Sequence, residues 1–212
     1  MRISFDHNVQ LTLSSEPQTY MFSDMRNVLG ITKETDILEH IESLPSDQKA
    51  TALEAIRAIE RKAMASQTPQ PGLDALMSYL DTRRVPKAIC TRNFDVPVRN
   101  LLDSFLRGSI FHPIVTRDFR PPKPDPAGIL HIARQWGLLS EGDPDASGLI
   151  MVGDSLDDMT AGRKAGAATV LLANDVNREL LEHDHTDMVI QSLDELVDIL
   201  EEGFRGREIV VP

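Results

Sequence analysis

Leu149-Ile150-Met151-Val152 sets four apolar residues in a row, and the run ends on Gly153-Asp154. A continuous apolar run bounded by a polar turn predicts a strand buried on both faces, the condition of a parallel sheet. Ligands of such open sheets collect beyond the carboxyl ends of the strands. The run therefore puts Asp154 at a strand tip, with Asp158 in the turn or first helical turn behind it. Two carboxylates at that spacing can converge on one hard divalent cation, usually Mg²⁺ with waters and a substrate phosphate. The plainer alternative is a solvated acidic turn.

The rest of the chain supplies the partners that a parallel strand needs. Residues 2–6 alternate weakly and predict a short first strand with Asp6 at its tip. From about Tyr20 to Gln67 the period is helical. One helix carries Met21, Met25, Val28 and Leu29 and stops at Gly30; a second opens at Thr35-Asp36. A third is capped by Ser46, with a stripe of Leu53, Ile56, Ile59 and Ala63, and Glu54, Arg57, Glu60 and Arg61 outside it. This block has no strand signal and is closed by Thr68-Pro69-Gln70-Pro71-Gly72, so it reads as an all-helical insert. After it, strand-like and helix-like runs alternate, the mark of a βαβ sheet. Strands are predicted at 86–91, 111–116, 149–153 and 169–173, with a minor one at 188–191. Helices fall between them, and the tail from Gly203 is expected to be loose or packed on an edge.

Composition bounds the partners. In 212 residues, 33 acids outnumber 22 bases, for a formal net charge of -11. That field disfavours nucleic acid and anionic membranes, and an anionic substrate must be drawn in by a local cation or metal. The single cysteine, Cys90, lies inside an apolar strand and fits a buried bystander in a reducing compartment. No apolar run approaches a membrane span, and residues 1–6 read as structure rather than as a leader. The expected location is the cytoplasm, with the nucleus as alternative.

The polar residues at the expected strand ends form a chemical set. Asp6 and Thr91 end strands, Asp154 and Asp158 follow another, and Lys123 comes from the stiff loop Pro121-Pro122-Lys123-Pro124-Asp125-Pro126. An acid, a hydroxyl, a cation and a metal pair at one rim suit phosphoryl transfer. A carboxylate can attack phosphorus once the metal neutralises the approaching dianion. The hydroxyl and backbone N–H groups grip the phosphoryl oxygens, and the lysine cancels charge.

In this order the set resembles the four motifs of the haloacid dehalogenase (HAD) superfamily. They are the acid after the first strand; Thr91 in Ala88-Ile89-Cys90-Thr91-Arg92-Asn93; Lys123 in Arg120-Pro121-Pro122-Lys123-Pro124-Asp125-Pro126; and Gly153-Asp154-Ser155 with Asp158. Glu16-Pro17-Gln18, Cys90-Thr91-Arg92-Asn93 and the lysine loop further resemble little-characterised fungal hydrolases of that superfamily. The resemblance implies an α/β fold, with a Rossmann-like parallel-sheet core over residues 1–14 and 72–212. It places the fourth, first and second strands side by side, and a mobile helical cap over 15–71 hinged near 14–19 and 68–72. It also implies Mg²⁺ and hydrolysis of a small phosphorylated metabolite through an aspartyl-phosphate. Asp6, Asn8 and Lys123 would then be the catalytic positions; Thr91, Arg92, Asn93 and Lys123 would bind phosphate; and Asp6, Asn8, Asp154 and Asp158 would hold the metal.

The first motif departs from the family pattern Asp-x-Asp-Gly-Thr-Leu. The chain has Asp6-His7-Asn8-Val9-Gln10-Leu11, with Thr12-Leu13 standing for Thr-Leu two residues late. Asn8 takes the place of the acid/base aspartate and can neither give nor take its proton, though its backbone carbonyl can ligate a metal. Losing such a group costs on the order of 10² to 10⁴ in rate. Val9 replaces a turn-forming glycine. All of this lies in the first fifteen residues, which points to a divergent or mis-assembled start. The alternative function is thus a weak or inactive relative acting as a binding module.

Other candidates read more simply. Glu182-His183-Asp184-His185 is expected to be a solvated helix end rather than a metal site. Arg57, Arg61 and Lys62 are expected on a solvated face, and Trp136 in the core. Arg92 and Asn93 either contact substrate or make the turn. Asp157 is an outer neighbour of the metal pair. The sequence leaves oligomeric state and substrate identity open.

Overall fold

The computed structural model describes residues 8–11, 19–64, 68–139 and 145–204, with the backbone alone at 8–11, 19–20 and 64. Six strands form one sheet: β1 (Asn8–Leu11), β2 (Lys87–Cys90), β3 (Ile114–Val115), β4 (Leu149–Gly153), β5 (Ala168–Leu172) and β6 (Met188–Ile190). Their order is β3-β2-β1-β4-β5-β6, and every neighbouring pair is parallel. The expected adjacency of the fourth, first and second strands is present. From β1 the chain winds outward through β2 and β3, then returns to the other side of β1 at β4. The crevice above the carboxyl ends of β1 and β4 is therefore the switch point where such sheets bind ligands.

Helices cover both faces, as an all-parallel sheet requires. On one face lie α4 (Leu73–Thr82), α5 (Asp95–Phe105) and α8 (Glu195–Glu202). Their Leu76, Leu80, Leu101 and Leu196 pack on Ile89, Ile150, Val152, Val170 and Leu172. On the other face α6 (Ala127–Gln135) and α7 (Leu156–Lys164) bring Ile129, Ile132 and Ala161 onto Ala88, Cys90, Leu149 and Met151. The alternation of Leu149 and Met151 with Ile150 and Val152 sends successive side chains of one strand into the two opposite cores. All four are no more than 2% exposed, so the apolar run that opened the argument is a strand buried on both faces.

The helical insert has a core of its own. Between α1 (Thr19–Leu29), α2 (Ile37–Ser43) and α3 (Ser46–Met64), the buried Met25, Ile37, Ile41, Ala52 and Ile56 cluster with Phe94. Phe94 comes from the turn after β2, so its ring joins the block's core to the sheet's rim. Ser46 is not the cap of α3; the carbonyl of Pro45 accepts the first bonds, from the N–H groups of Gln48 and Lys49 at 3.0 and 2.9 Å. Val28 stands 56% exposed and leaves the expected stripe. The helix expected over Val176–Glu182 shrinks to a 3₁₀ turn at Arg178–Leu180. At the other end, Phe204 is buried in the first core. The remaining tail, the polar turn at 140–144 and the expected strand at residues 2–6 lie outside the described residues.

The first strand requires a correction. It occupies Asn8–Leu11, with Asn8 opposite Leu149 and Leu11 opposite Val152. A parallel strand in this register delivers Leu11 towards the rim, while Asn8 starts roughly 10 Å back along it at ~3.3 Å per residue. Asn8 therefore does not stand at the strand tip beside Asp154. The weak alternation of residues 2–6 continues through Asn-Val-Gln-Leu, and a period of two cannot by itself choose between the frames.

Candidate active site

Three loops that follow β2, β3 and β4 supply one rim, and α1 and α2 roof it. Between them lies a cavity of about 270 Å³. Thr91, Arg92, Asn93, Lys123, Asp154 and Asp158, all expected at the site, line it together. Asp6 lies outside the described residues.

Lys123 is the most constrained of them. It is buried, with Nζ donating to the carbonyl of Cys90 at 2.6 Å and to the carboxylate of Asp158. Burial works against its charge, but the adjacent Asp158 carboxylate outweighs this and lifts its pKa above the ordinary lysine value. Burial likewise pushes the Cys90 thiol up, as befits a bystander. Thr91 is buried at the end of β2; its N–H donates to Val115 O at 2.8 Å, and its hydroxyl accepts from the N–H of Asn93 at 3.1 Å. Asn93 in turn accepts from the N–H of Arg117 at 3.0 Å, so its backbone makes the turn while it also borders the cavity.

Asp158 does something other than the sequence suggested. Its Oδ2 accepts from the Ser155 hydroxyl at 2.8 Å and from the N–H groups of Asp154 and Ser155, both at 3.3 Å. Ser155 and Asp158 form the capping box of α7. The other oxygen, Oδ1, takes Lys123. Both carboxylate oxygens are thus engaged with donors, and Asp158 holds the lysine. Gly153 makes this possible: a Cβ there would sit 2.5 Å from Cβ of Asp158. Asp154 is the strand-tip carboxylate that borders the cavity. An oxygen donor at that position suits a hard cation that keeps waters and takes phosphate oxygens. Among the described residues, no three His, Cys, Asp or Glu side chains gather as metal ligands.

Arg92 is a clamp. One arm donates to Asp157 on α7, and the other to Oδ2 of Asp36 at 2.7 Å. Asp36 is the N-cap of α2, accepting from Leu38 and Glu39 N–H with its other oxygen. Partial burial raises the Asp36 carboxyl, but the bond from Arg92 and those N–H groups overcome it and hold the pKa below the ordinary value. Arg92 thereby ties the helical block to the sheet.

Two partners were missed. Arg117, next after Thr116 at the end of the third strand, is buried; its Nε donates to Arg92 O at 2.6 Å and its Nη2 to Glu60 Oε1 at 3.0 Å. Its guanidinium also lies 3.9 Å from the centre of the Phe94 ring, with Arg57 on the same ring at 4.8 Å. Glu60 is only 4% exposed, though the sequence reading set it outside the apolar stripe. Burial raises the Glu60 carboxyl and lowers Arg117, against the attraction of each for the other. The usable signal was spacing: Glu60 falls four after Ile56 and three before Ala63, on the buried stripe itself.

Asn177 is a third omission. It is buried, with Nδ2 donating to Asp154 O at 2.9 Å and Leu172 O at 3.0 Å, while Oδ1 accepts from Asn174 N–H at 2.8 Å. One side chain thus staples the chain after β4 to the end of β5. Asn177→Ala is expected to lower stability by about 1–3 kcal/mol, because buried backbone groups lose their partners. A urea titration checks this; an unchanged midpoint would mean the staple contributes nothing.

The remaining candidates stay peripheral. Arg61 pairs with Glu54 at 2.7 Å on the outer face. His183 and His185 stack edge-on at 4.8 Å, with His185 Nδ1 3.0 Å from the Thr160 hydroxyl. Trp136 packs at the edge of the second core and donates to His112 O at 2.7 Å.

Comparison with known proteins agrees with this arrangement. Residues 7–172 match the family described as Haloacid dehalogenase-like hydrolase. An uncharacterized hydrolase of Saccharomyces cerevisiae is 42% identical over 203 residues, covering 94% of this chain and 88% of that one. A phosphoglycolate phosphatase of Pseudomonas savastanoi pv. phaseolicola is 31% identical over 129 residues, covering 60% of this chain and 45% of that one. A family IA, variant 3 HAD hydrolase from Entamoeba histolytica has the same fold, with a TM-score of 0.72 at 18% identity over 92% of this chain and 99% of its own. With its parallel sheet, its helical insert and its buried lysine–aspartate pair at the switch point, the chain belongs to the haloacid dehalogenase-like hydrolases.

Proposed function

We propose that the chain hydrolyses a small phosphomonoester, with Mg²⁺, in the cavity between a helical cap (residues 15–71) and the sheet domain (1–14 and 72–212). The observation that carries the reading is the convergence of Thr91, Lys123 and Asp154, from the chain that follows three different strands, on one cavity. Relatives that are phosphatases support it.

In this reading the Thr91 hydroxyl and the Lys123 ammonium take the phosphoryl oxygens, with Arg92 and Asn93 at the border. Lys123 stays charged throughout because Asp158 holds it, and that charge is aimed at the group being transferred. Asp154 is the side chain that would ligate Mg²⁺, and Asp158 acts through Lys123. When bound, the cation offsets the phosphate's charge and aligns its oxygens. Asp6 is the carboxylate assigned to attack phosphorus, expelling the ester oxygen before water cleaves the aspartyl-phosphate. This route requires it to reach a rim that β1 meets at Leu11 rather than at Asn8. Within residues 1–18 only Asp6 and Glu16 carry a carboxylate side chain. No acid stands at position 8 to protonate the leaving oxygen, so that proton comes from water and turnover is slow, by on the order of 10² to 10⁴. The cap excludes bulk water from the intermediate.

Among the described residues no helix is long and apolar enough to cross a membrane. We infer action in the cytoplasm on a small phosphorylated metabolite, without nucleic acid. Phosphate release from p-nitrophenyl phosphate with Mg²⁺ tests the activity, with Asp6→Asn and Glu16→Gln beside the unaltered chain. The expected result is slow turnover that Asp6→Asn abolishes and Glu16→Gln leaves in place. Equal rates in the unaltered chain and Asp6→Asn would remove the Asp6 route. Phosphate binding with no turnover at all would favour the binding-module reading, which the register of β1 makes a real competitor.

A further inference from the structure

Among the described residues, three ion pairs join the helical insert to the sheet domain, and in each the insert supplies the acid. Asp36 pairs with Arg92 at 2.7 Å, Glu42 with Arg120 at 2.7 Å and Glu60 with Arg117 at 3.0 Å. They differ in burial. The side chains of Glu42 and Arg120 are 48% and 49% exposed, those of Asp36 and Arg92 36% and 29%, and those of Glu60 and Arg117 4% and 9%. An exposed pair is screened and costs little to part, whereas parting a buried one strands a charge. The α2 edge is therefore the weakly held side of the insert, and the α3 edge the firmly held one. Two further contacts fix the α3 side. Phe94 enters the insert's core with the Arg117 guanidinium on its ring. Past α3, the chain is pinned to the sheet domain where Leu193 N–H donates to Pro71 O at 2.9 Å. A Cβ on the next residue, Gly72, would lie 2.4 Å from the backbone nitrogen of Asp194.

We propose that the insert tilts about the Glu60–Arg117–Phe94 contact, and that Arg92 is the latch that holds its α2 edge shut over the cavity. Asp36, Ile37 and Leu38 of that edge border the cavity together with Thr91 and Asp154. Arg92 is gripped from both sides, by Asp36 at the N-cap of α2 and by Asp157 in the first turn of α7. Its neighbour in sequence is Thr91, and the same turn of α7 carries Asp158, the partner of Lys123. Shutting the edge thus braces the groups that the rim offers to a ligand. Arg92 is a positioning residue here: it controls access and acts through the elements it ties together. The inference goes beyond the phosphatase reading and does not depend on turnover of any ester.

The test measures how fast a neutral maleimide labels cysteines placed at the two edges of the full chain. Leu38→Cys reports on the α2 edge, and Ala63→Cys, three residues on from Glu60, reports on the pivot; both positions are buried. The native Cys90, buried in the second core, gives the background rate. Asp36→Asn keeps an oxygen for the cap of α2 while removing the charge that Arg92 grips. It is expected to speed labelling of Leu38→Cys by about 3- to 30-fold, the worth of one half-buried charge-assisted pair, and that of Ala63→Cys by less than about twofold. Asp157→Asn frees the other arm of Arg92 and is expected to give the same selective acceleration, so the test stands even where one variant fails to fold. Acceleration at both edges would mean that the insert lifts or unfolds as a whole. No acceleration at Leu38→Cys would mean that Arg92 holds nothing shut. Either result overturns the proposal, and neither bears on phosphate release from p-nitrophenyl phosphate, which is read separately.

Discussion

Lys123→Met is expected to abolish phosphate release and also to destabilise the fold by about 3–5 kcal/mol. The two effects have different origins. The ammonium cancels charge on the transferring group, and losing a preorganised charge of that kind costs on the order of 10² to 10³ in rate. Stability falls because Asp158, 2% exposed, would be left buried without its cation. Lys123→Met with Asp158→Asn separates them: a neutral pair should recover most of the stability and none of the activity. Urea unfolding and a phosphate assay on the three proteins check this. A single variant as stable as the parent would mean that Asp158 rests on the α7 capping box alone.

Glu60→Ala should be nearly as costly, about 3–5 kcal/mol, although Glu60 itself does not border the cavity. Arg117 is 8% exposed and would keep its charge with only the Arg92 carbonyl and the Phe94 face for company. Because burial already raises the Glu60 carboxyl and lowers Arg117, the pair gives little net stability over an apolar replacement. The double variant Glu60→Leu, Arg117→Met is therefore expected to melt within about 1 kcal/mol of the parent. Thermal melts of both variants decide it; a harmless Glu60→Ala would show that water or a rearranged cap satisfies Arg117. The sign of the pH dependence follows from the same burial. A raised carboxyl pKa means the native state is penalised as Glu60 ionises, so its contribution to stability declines as pH climbs through and above the ordinary carboxylate value.

Much of the fold was legible because burial on both faces leaves a strong mark. The run at Leu149–Gly153 is apolar without interruption, that at Ala168–Leu172 is broken only by Thr169, and α4 spans Leu73–Thr82 as its helical period predicts. The site was partly legible for a related reason: Thr91, Lys123 and Asp154 each follow a strand, and parallel strands bring such residues to one rim. What failed was whatever depends on partners. Glu60 and Arg117 are charged, and a charge read alone goes to solvent; only their mutual pairing takes them inside. Ser155-x-x-Asp158 is a helix-capping pattern in plain view, yet the same aspartate also fits a metal site, and the lysine that decides between them is 35 residues away in sequence. The stretch that pairs with β4 is Asn8–Leu11, and its weak alternation did not mark it out from its neighbours in the sequence.

The claim on which the account turns is that the rim formed by Thr91, Lys123 and Asp154 binds a metal and a phosphoryl group together. A crystal structure grown with Mg²⁺ and a tetrahedral oxyanion such as tungstate tests it directly. The account predicts the cation about 2.1 Å from a carboxylate oxygen of Asp154, with the oxyanion in contact with both the Thr91 hydroxyl and Lys123 Nζ. An oxyanion bound elsewhere, or a cation on other ligands with Asp154 turned away from it, would contradict it.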